Sequence, residues 1–212
     1  MRVIVYVEGR SDKAVMEELL APLLARKLDT GVHIDFIPVV SGDRKATLLT
    51  KIPIKAAEII IGDPDATVIA MPDLYPPNKG FDHSTFDEMQ RGMMERFANT
   101  LRHRRVDDRR LFDQFKVFCF KYDLEVLLLS NESALQSHLG VTRFKRTWCT
   151  PAEDQNHDHP PKMVVRELFQ KHGKSYSETL DAPRILRKCN YQETADQCPQ
   201  CFKPFVEFLT SL

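Results

Sequence analysis

Four carboxylates that follow apolar runs are the residues of this chain best placed to do chemistry. Glu8 follows Val3-Ile4-Val5-Tyr6-Val7, Asp73 follows Ala66-Thr67-Val68-Ile69-Ala70-Met71, and Asp123 and Glu125 follow Phe115-Lys116-Val117-Phe118-Cys119-Phe120. In an open parallel sheet the ligand crevice lies outside the carboxyl ends of the strands, so acids delivered there by different strands can approach one cation. Gly9 permits close backbone approach beside Glu8, and Arg10 and Lys13 bring charges that suit an adjacent phosphate. The competing reading is that Glu8 caps the next helix and pairs with Arg10 in solvent, because strand-to-helix turns are polar everywhere.

The elements that must position these acids are readable from periodicity. The run before Glu8 is β-branched and bounded by glycine, which predicts a buried strand, and Ser11 supplies a cap for a helix with Met16, Leu19 and Leu20 on its apolar stripe. Residues 32–40 alternate polar and apolar, so this second strand belongs nearer a sheet edge. A helix follows through Ile61, with a break or turn at Pro53. Residues 84–104 carry Phe86, Met89, Met93, Phe97 and Leu101 at helical spacing, which predicts a core-facing amphipathic helix. Short helices are expected over 163–171 and 182–188, and a closing helix over 199–212. The alternation predicts an α/β fold: a mainly parallel sheet flanked by helices over 1–141, with a loop and helical C-terminal extension over 142–212 packed on it.

Composition narrows the classes of partner. Thirty Lys and Arg balance thirty Asp and Glu, so bulk attraction cannot hold this chain on nucleic acid and any contact must come from local clusters. Two basic segments qualify: 102–110, and 143–146, where Arg143, Lys145 and Arg146 interleave with Phe144 and precede Trp148. Solvated pairing of these arginines with Asp107, Asp108 and Asp113 is the alternative. Five cysteines, an odd number, suit a reducing compartment. Cys198-Pro199-Gln200-Cys201 has the spacing of half a zinc site, but a site would need distant Cys149, His157 or His159 to complete it. Structural zinc is therefore not expected. The absence of a leader pattern or a long apolar segment predicts a cytoplasmic protein with no membrane span.

The blocks Val7-Glu8-Gly9-Arg10-Ser11-Asp12 and Met71-Pro72-Asp73 resemble the TOPRIM fold of primases, topoisomerases and overcoming-lysogenization-defect nucleases. With Lys121-Tyr122-Asp123-Leu124-Glu125, Pro160-Pro161-Lys162 and Cys198-Pro199, the order is similar to that of an uncharacterised bacterial TOPRIM-like family, domain of unknown function 4276. The resemblance implies a TOPRIM/Rossmann-like sheet, with Glu8 as acid, base or metal ligand and Asp73 as ligand of Mg²⁺, which Mn²⁺ can replace. It also implies metal-dependent phosphodiester cleavage of nucleic acid, in bacterial genome maintenance or phage defence. Tyr75 stands where a second aspartate would complete the metal motif, so Glu125 or Asp123 is expected to replace it. Arg10 and Lys13 would hold phosphate, and Arg143, Lys145 and Trp148 would contact nucleic acid. The alternative is a catalytically inactive TOPRIM-like binding or regulatory module acting with a partner ATPase. Oligomeric state is left open, a homo-oligomer included.

Overall fold

The computed structural model describes residues 1–40, 42–145, 147–156 and 158–212. Ser41, Arg146 of the second basic segment and His157 of the zinc alternative lie outside the described residues. In chain order the elements are β1 (Arg2–Val7), α1 (Arg10–Leu19), α2 (Ala21–Asp29), β2 (His33–Pro38), α3 (Arg44–Thr50), α4 (Ile52–Gly62), β3 (Ala66–Met71) and α5 (Phe86–His103). They continue with β4 (Phe115–Val117), α6 (Val126–Leu129), α7 (Glu132–Leu139), α8 (Pro161–Lys171), α9 (Asp181–Leu186), α10 (Tyr191–Gln197) and α11 (Phe202–Ser211). This is an α/β fold: a parallel sheet in the order β2-β1-β3-β4, with flanking and C-terminal helices. Among the described residues no helix is long and apolar enough to cross a membrane.

The chain forms two compact units, one of residues 1–13 and 24–119 and the other of residues 14–23 and 120–212. Residues 142–212, read from sequence as the extension, all lie in the second unit, which also takes in 120–141 and 14–23.

In the first unit the apolar pattern sets strand order. β3 is buried along its whole length and β1 everywhere except Arg2, as central strands must be, whereas β2 buries fully only Phe36 and takes an edge. Register pairs Val7 with Met71, so β1 and β3 end level with each other. The helix expected through Ile61 is two helices. α3 stops at Thr50 and α4 starts at Ile52 with Pro53 in its first turn, where a missing N–H costs nothing. α5 opens with a capping box between Thr85 and Glu88 and buries Met89, Met93, Phe97 and Leu101, while Phe86 is only half-buried. Phe97 stacks on Phe115 of β4 with ring centroids 5.0 Å apart. One local expectation fails: α1 begins at Arg10, so Ser11 lies inside the first turn rather than at its cap. Asp12 reaches back instead, accepting the Gly9 N–H at 2.6 Å.

The second unit packs the fully buried α6 among α7, α8 and α9. Val164, Val165, Leu168 and Phe169 of α8, Ile185 and Leu186 of α9, and Phe202, Phe205 and Leu209 of α11 fill its core.

Candidate active site at the β1/β3 strand ends

The order β2-β1-β3-β4 makes β1 and β3 neighbours whose following strands lie on opposite sides. Their outgoing connections diverge to the two sides, which makes their carboxyl ends the switch point at which open α/β sheets bind ligands. Glu8 is the first residue beyond β1 and Asp73 the second beyond β3. The structure brings them together: the Asp73 backbone N–H donates to Glu8 Oε1 at 3.0 Å. Burial holds the Glu8 carboxyl above the ordinary glutamate range, although the Asp73 amide and the charge of Lys45 work against that rise.

Lys45 is the member of this edge that sequence reasoning missed. It is 6% exposed, and its Nζ donates to the carbonyls of Leu74 at 2.8 Å and Pro76 at 2.5 Å. Burial lowers the pKa of this ammonium, and the carboxylates of Glu8 and Asp73 oppose the fall. Lys45 thus ties down the backbone just past Asp73 while contributing a positive charge to the acidic edge. Two glycines seat the rest of that loop. Gly80 has φ +72°, and a Cβ there would lie 2.8 Å from Thr50 Cγ2. On α5, Gly92 leaves room for the Phe81 ring, which occupies the space a Cβ would need, with the Arg96 guanidinium 4.4 Å over its centroid.

Asp123 and Glu125 form a pair in the second unit. Glu125 is 0% exposed and its Oε1 accepts from the Tyr176 hydroxyl at 2.9 Å, while Asp123 Oδ2 accepts the Lys162 N–H at 3.2 Å. Their other oxygens, Asp123 Oδ1 and Glu125 Oε2, are buried without a donor among the described groups. Burial first, and then the Glu125 charge, push the Asp123 carboxyl up to about 8; Glu125 is raised by burial as well. A proton on Asp123 turned toward Glu125 gives the orphaned oxygens a partner. Lys162 pairs with Glu178 at 2.8 Å; burial opposes its charge, but Glu125, Glu178 and Asp123 together raise its pKa.

The remaining sequence-derived residues divide by surroundings. Arg10, Arg143 and Lys145 are exposed. Lys13 spends its ammonium on the Phe36 carbonyl at 3.0 Å. Trp148 is half-buried with its indole N–H on the Leu129 carbonyl at 3.0 Å, and Phe144 is buried beside it. In the segment 102–110, Arg104 pairs with Glu58 at 2.9 Å and Arg110 with Asp108 at 2.7 Å.

A further acid that sequence did not flag is Glu153, 1% exposed. It accepts the backbone N–H groups of Gln200 at 2.6 Å, Cys201 at 2.8 Å and Phe202 at 3.4 Å. These are orphan donors at the start of α11, and a carboxylate is their natural acceptor. The Cys198-to-Cys201 turn is thereby a cradle for Glu153. Burial pushes the Cys198 thiol up to about 12 and the Cys189 thiol to about 11, so both stay protonated at neutral pH. Among the described residues no group of three or more His, Cys, Asp or Glu is placed to hold a metal ion.

A sequence model of a family described as a domain of unknown function, DUF4276, matches residues 7–210. No curated protein and no solved structure matches the chain.

Proposed function

The chain belongs to the DUF4276 family, and we propose that it is a TOPRIM-type, Mg²⁺-dependent phosphodiesterase acting on nucleic acid. The observation that carries this reading is the contact of Glu8 with Asp73 at the β1/β3 switch point. Glu8 Oε1 accepts the Asp73 amide, and the second Glu8 oxygen and the Asp73 carboxylate would be the protein's oxygen ligands. Two carboxylates, with retained waters and a substrate phosphate oxygen, are a set that Mg²⁺ accepts and that Mn²⁺ can share. When bound, the ion supplies Lewis acidity to the phosphate and lowers the pKa of an attacking water. Glu8 serves in this reading as a ligand, and because burial raises its pKa, loading the ion would require loss of any proton it holds. Lys45 fixes the backbone after Asp73 through the Leu74 and Pro76 carbonyls and lies close enough to both acids for their charges to act on it. The reading stands on Glu8 and Asp73 and asks no ligand of Asp123 or Glu125. Exposed Arg143 and Lys145, with Trp148, are the proposed nucleic-acid contacts outside the crevice, and the proposed setting is cytoplasmic, in genome maintenance or phage defence.

Two observations favour a second reading, a binding or regulatory module acting with an ATPase. Tyr75 holds the place of the second metal-binding aspartate, and the buried Lys45 puts a resident cation beside the two acids. Cleavage assays on single- and double-stranded DNA and RNA, with Mg²⁺, Mn²⁺ or EDTA, separate the two. The enzyme reading expects cation-dependent cleavage that Glu8→Gln and Asp73→Asn abolish while thermal stability barely moves. An Asp73→Asn variant that cuts at the wild-type rate would overturn it. A wild type that cuts nothing under any of these conditions leaves the module.

A further inference from the structure

We propose that Arg44 is the phosphate-binding residue of the β1/β3 edge, its guanidinium lying over the Gly9 turn beside Glu8 to receive the oxygens of a substrate phosphodiester. The inference rests on the phosphodiesterase reading and names the group that recognises its substrate. Arg44 is the first residue of α3, far in sequence from Glu8, yet its Nη1 lies 2.9 Å from where a Cβ on Gly9 would stand. Gly9 is not among the residues of positive φ, so its backbone conformation does not demand glycine. What the missing side chain provides is room, for this guanidinium and for Asp12 Oδ2 at 3.2 Å from the same point. The proximity also registers electrostatically, since the Arg44 charge favours ionised Glu8.

Arg44 is exposed, and among the described residues its guanidinium makes no hydrogen bond or ion pair. Its acidic neighbours are otherwise engaged. Asp43 accepts from Ala46 N–H at 3.1 Å and pairs with Lys79 at 3.2 Å, and Asp12 is held by the Gly9 N–H at 2.6 Å. The other cations near the turn are less suited: Lys13 is committed to the Phe36 carbonyl and Lys45 to two carbonyls. A planar guanidinium with all its donors uncommitted matches phosphate geometry in a bidentate way, and binding there breaks no existing pair. In a chain of zero formal charge, such a local cation is what phosphate attraction requires.

The test is fluorescence anisotropy with labelled single- and double-stranded DNA and RNA oligonucleotides in Ca²⁺, over a salt series, with Mn²⁺ affinity and melting temperature measured alongside. Arg44→Ala should weaken binding about tenfold and reduce the salt slope by about one. Gly9→Ala should act in the same direction, because the new methyl group displaces Arg44 Nη1, its nearest neighbour at 2.9 Å; it also presses on Asp12 Oδ2 at 3.2 Å, and the melting temperature reads any cost of that second contact. Neither variant should weaken Mn²⁺ binding. If the wild type binds an oligonucleotide and Arg44→Ala binds it with the same affinity and slope, the assignment of Arg44 is wrong while the phosphodiesterase reading survives. If the wild type binds none of them, both fall together.

Discussion

Replacing Asp123 with asparagine isolates the proton that the buried acidic pair holds. Burial and the neighbouring Glu125 charge move the Asp123 carboxyl from 3.8 up to about 8 in the folded protein. In the unfolded chain it ionises at about 3.9. Between those two values folded Asp123 keeps a proton that the unfolded chain has released, so raising the pH favours unfolding. The contribution is complete below about pH 4, declines through the neutral range and is gone above about pH 8. Its slope is about 1.4 kcal/mol per pH unit for one differing proton. With a urea m-value of about 3 kcal/mol/M, that lowers the wild-type midpoint by roughly 0.5 M per unit between about pH 5 and 7. The Asp123→Asn variant has nothing to titrate at this position and still offers Glu125 a donor. Its midpoint should therefore lack this component of the slope, and it should be the more stable protein at pH 8. Urea unfolding followed by circular dichroism in EDTA, at pH 5, 6, 7 and 8, measures the difference. Parallel midpoint curves for the two proteins would refute the protonated-pair argument.

Two further perturbations probe the supports of the fold. Glu153→Gln keeps one acceptor oxygen but loses the charge and turns an amide NH₂ toward backbone donors. With hydrogen bonds to a charged acceptor contributing about 1.5–3 kcal/mol each, it should destabilise by about 2–4 kcal/mol; a change within about 0.5 kcal/mol by urea unfolding would show that the cradle of α11 is not a significant anchor. Gly92→Ala sets two effects against each other. Helix propensity alone predicts a gain of up to about 1 kcal/mol, whereas forcing a methyl group into the Phe81 ring costs about 1–3 kcal/mol. A net fall in melting temperature is expected, and a variant more stable than wild type would mean that Phe81 does not seat on α5.

The parts of the fold that follow from continuous or alternating burial could be read from sequence. β1 and β3 are apolar on both faces and had to be central, and the alternation of residues 32–40 placed β2 at an edge. α10 could not be read this way, because it buries only Tyr191, Thr194 and Ala195 and shows no apolar stripe. Glu8 and Asp73 stood out because each directly follows a strong strand signal. Lys45 did not, since lysine ordinarily marks solvent and its partners here are backbone carbonyls at 74 and 76, which no side-chain pattern encodes. Arg44 was hidden for a related reason: what marks it is the space left at Gly9, a contact between two strand-end turns. Glu153 likewise satisfies peptide N–H groups of a helix start nearly fifty residues away.

An acid after an apolar run is therefore a signal of position and not of charge state. Both acidic pairs carry that same signature, and their surroundings separate them. At the β1/β3 edge a backbone amide and a buried ammonium offset part of the burial cost of ionised Glu8. In the second unit burial and mutual repulsion prevail, and Asp123 remains protonated at neutral pH. A divalent cation requires deprotonated oxygens, so an ion that draws on Asp123 must displace the proton held there. The proposed site asks no ligand of Asp123, so proton release on Mn²⁺ binding should be the same in the wild type and in Asp123→Asn, whereas binding that draws on Asp123 should release a proton between about pH 6 and 8. Calorimetric Mn²⁺ titration of the wild type in buffers of different ionisation enthalpy counts that proton. Release of about one proton per ion near pH 7, abolished by Asp123→Asn, would move the cation from Glu8 and Asp73 to the second pair.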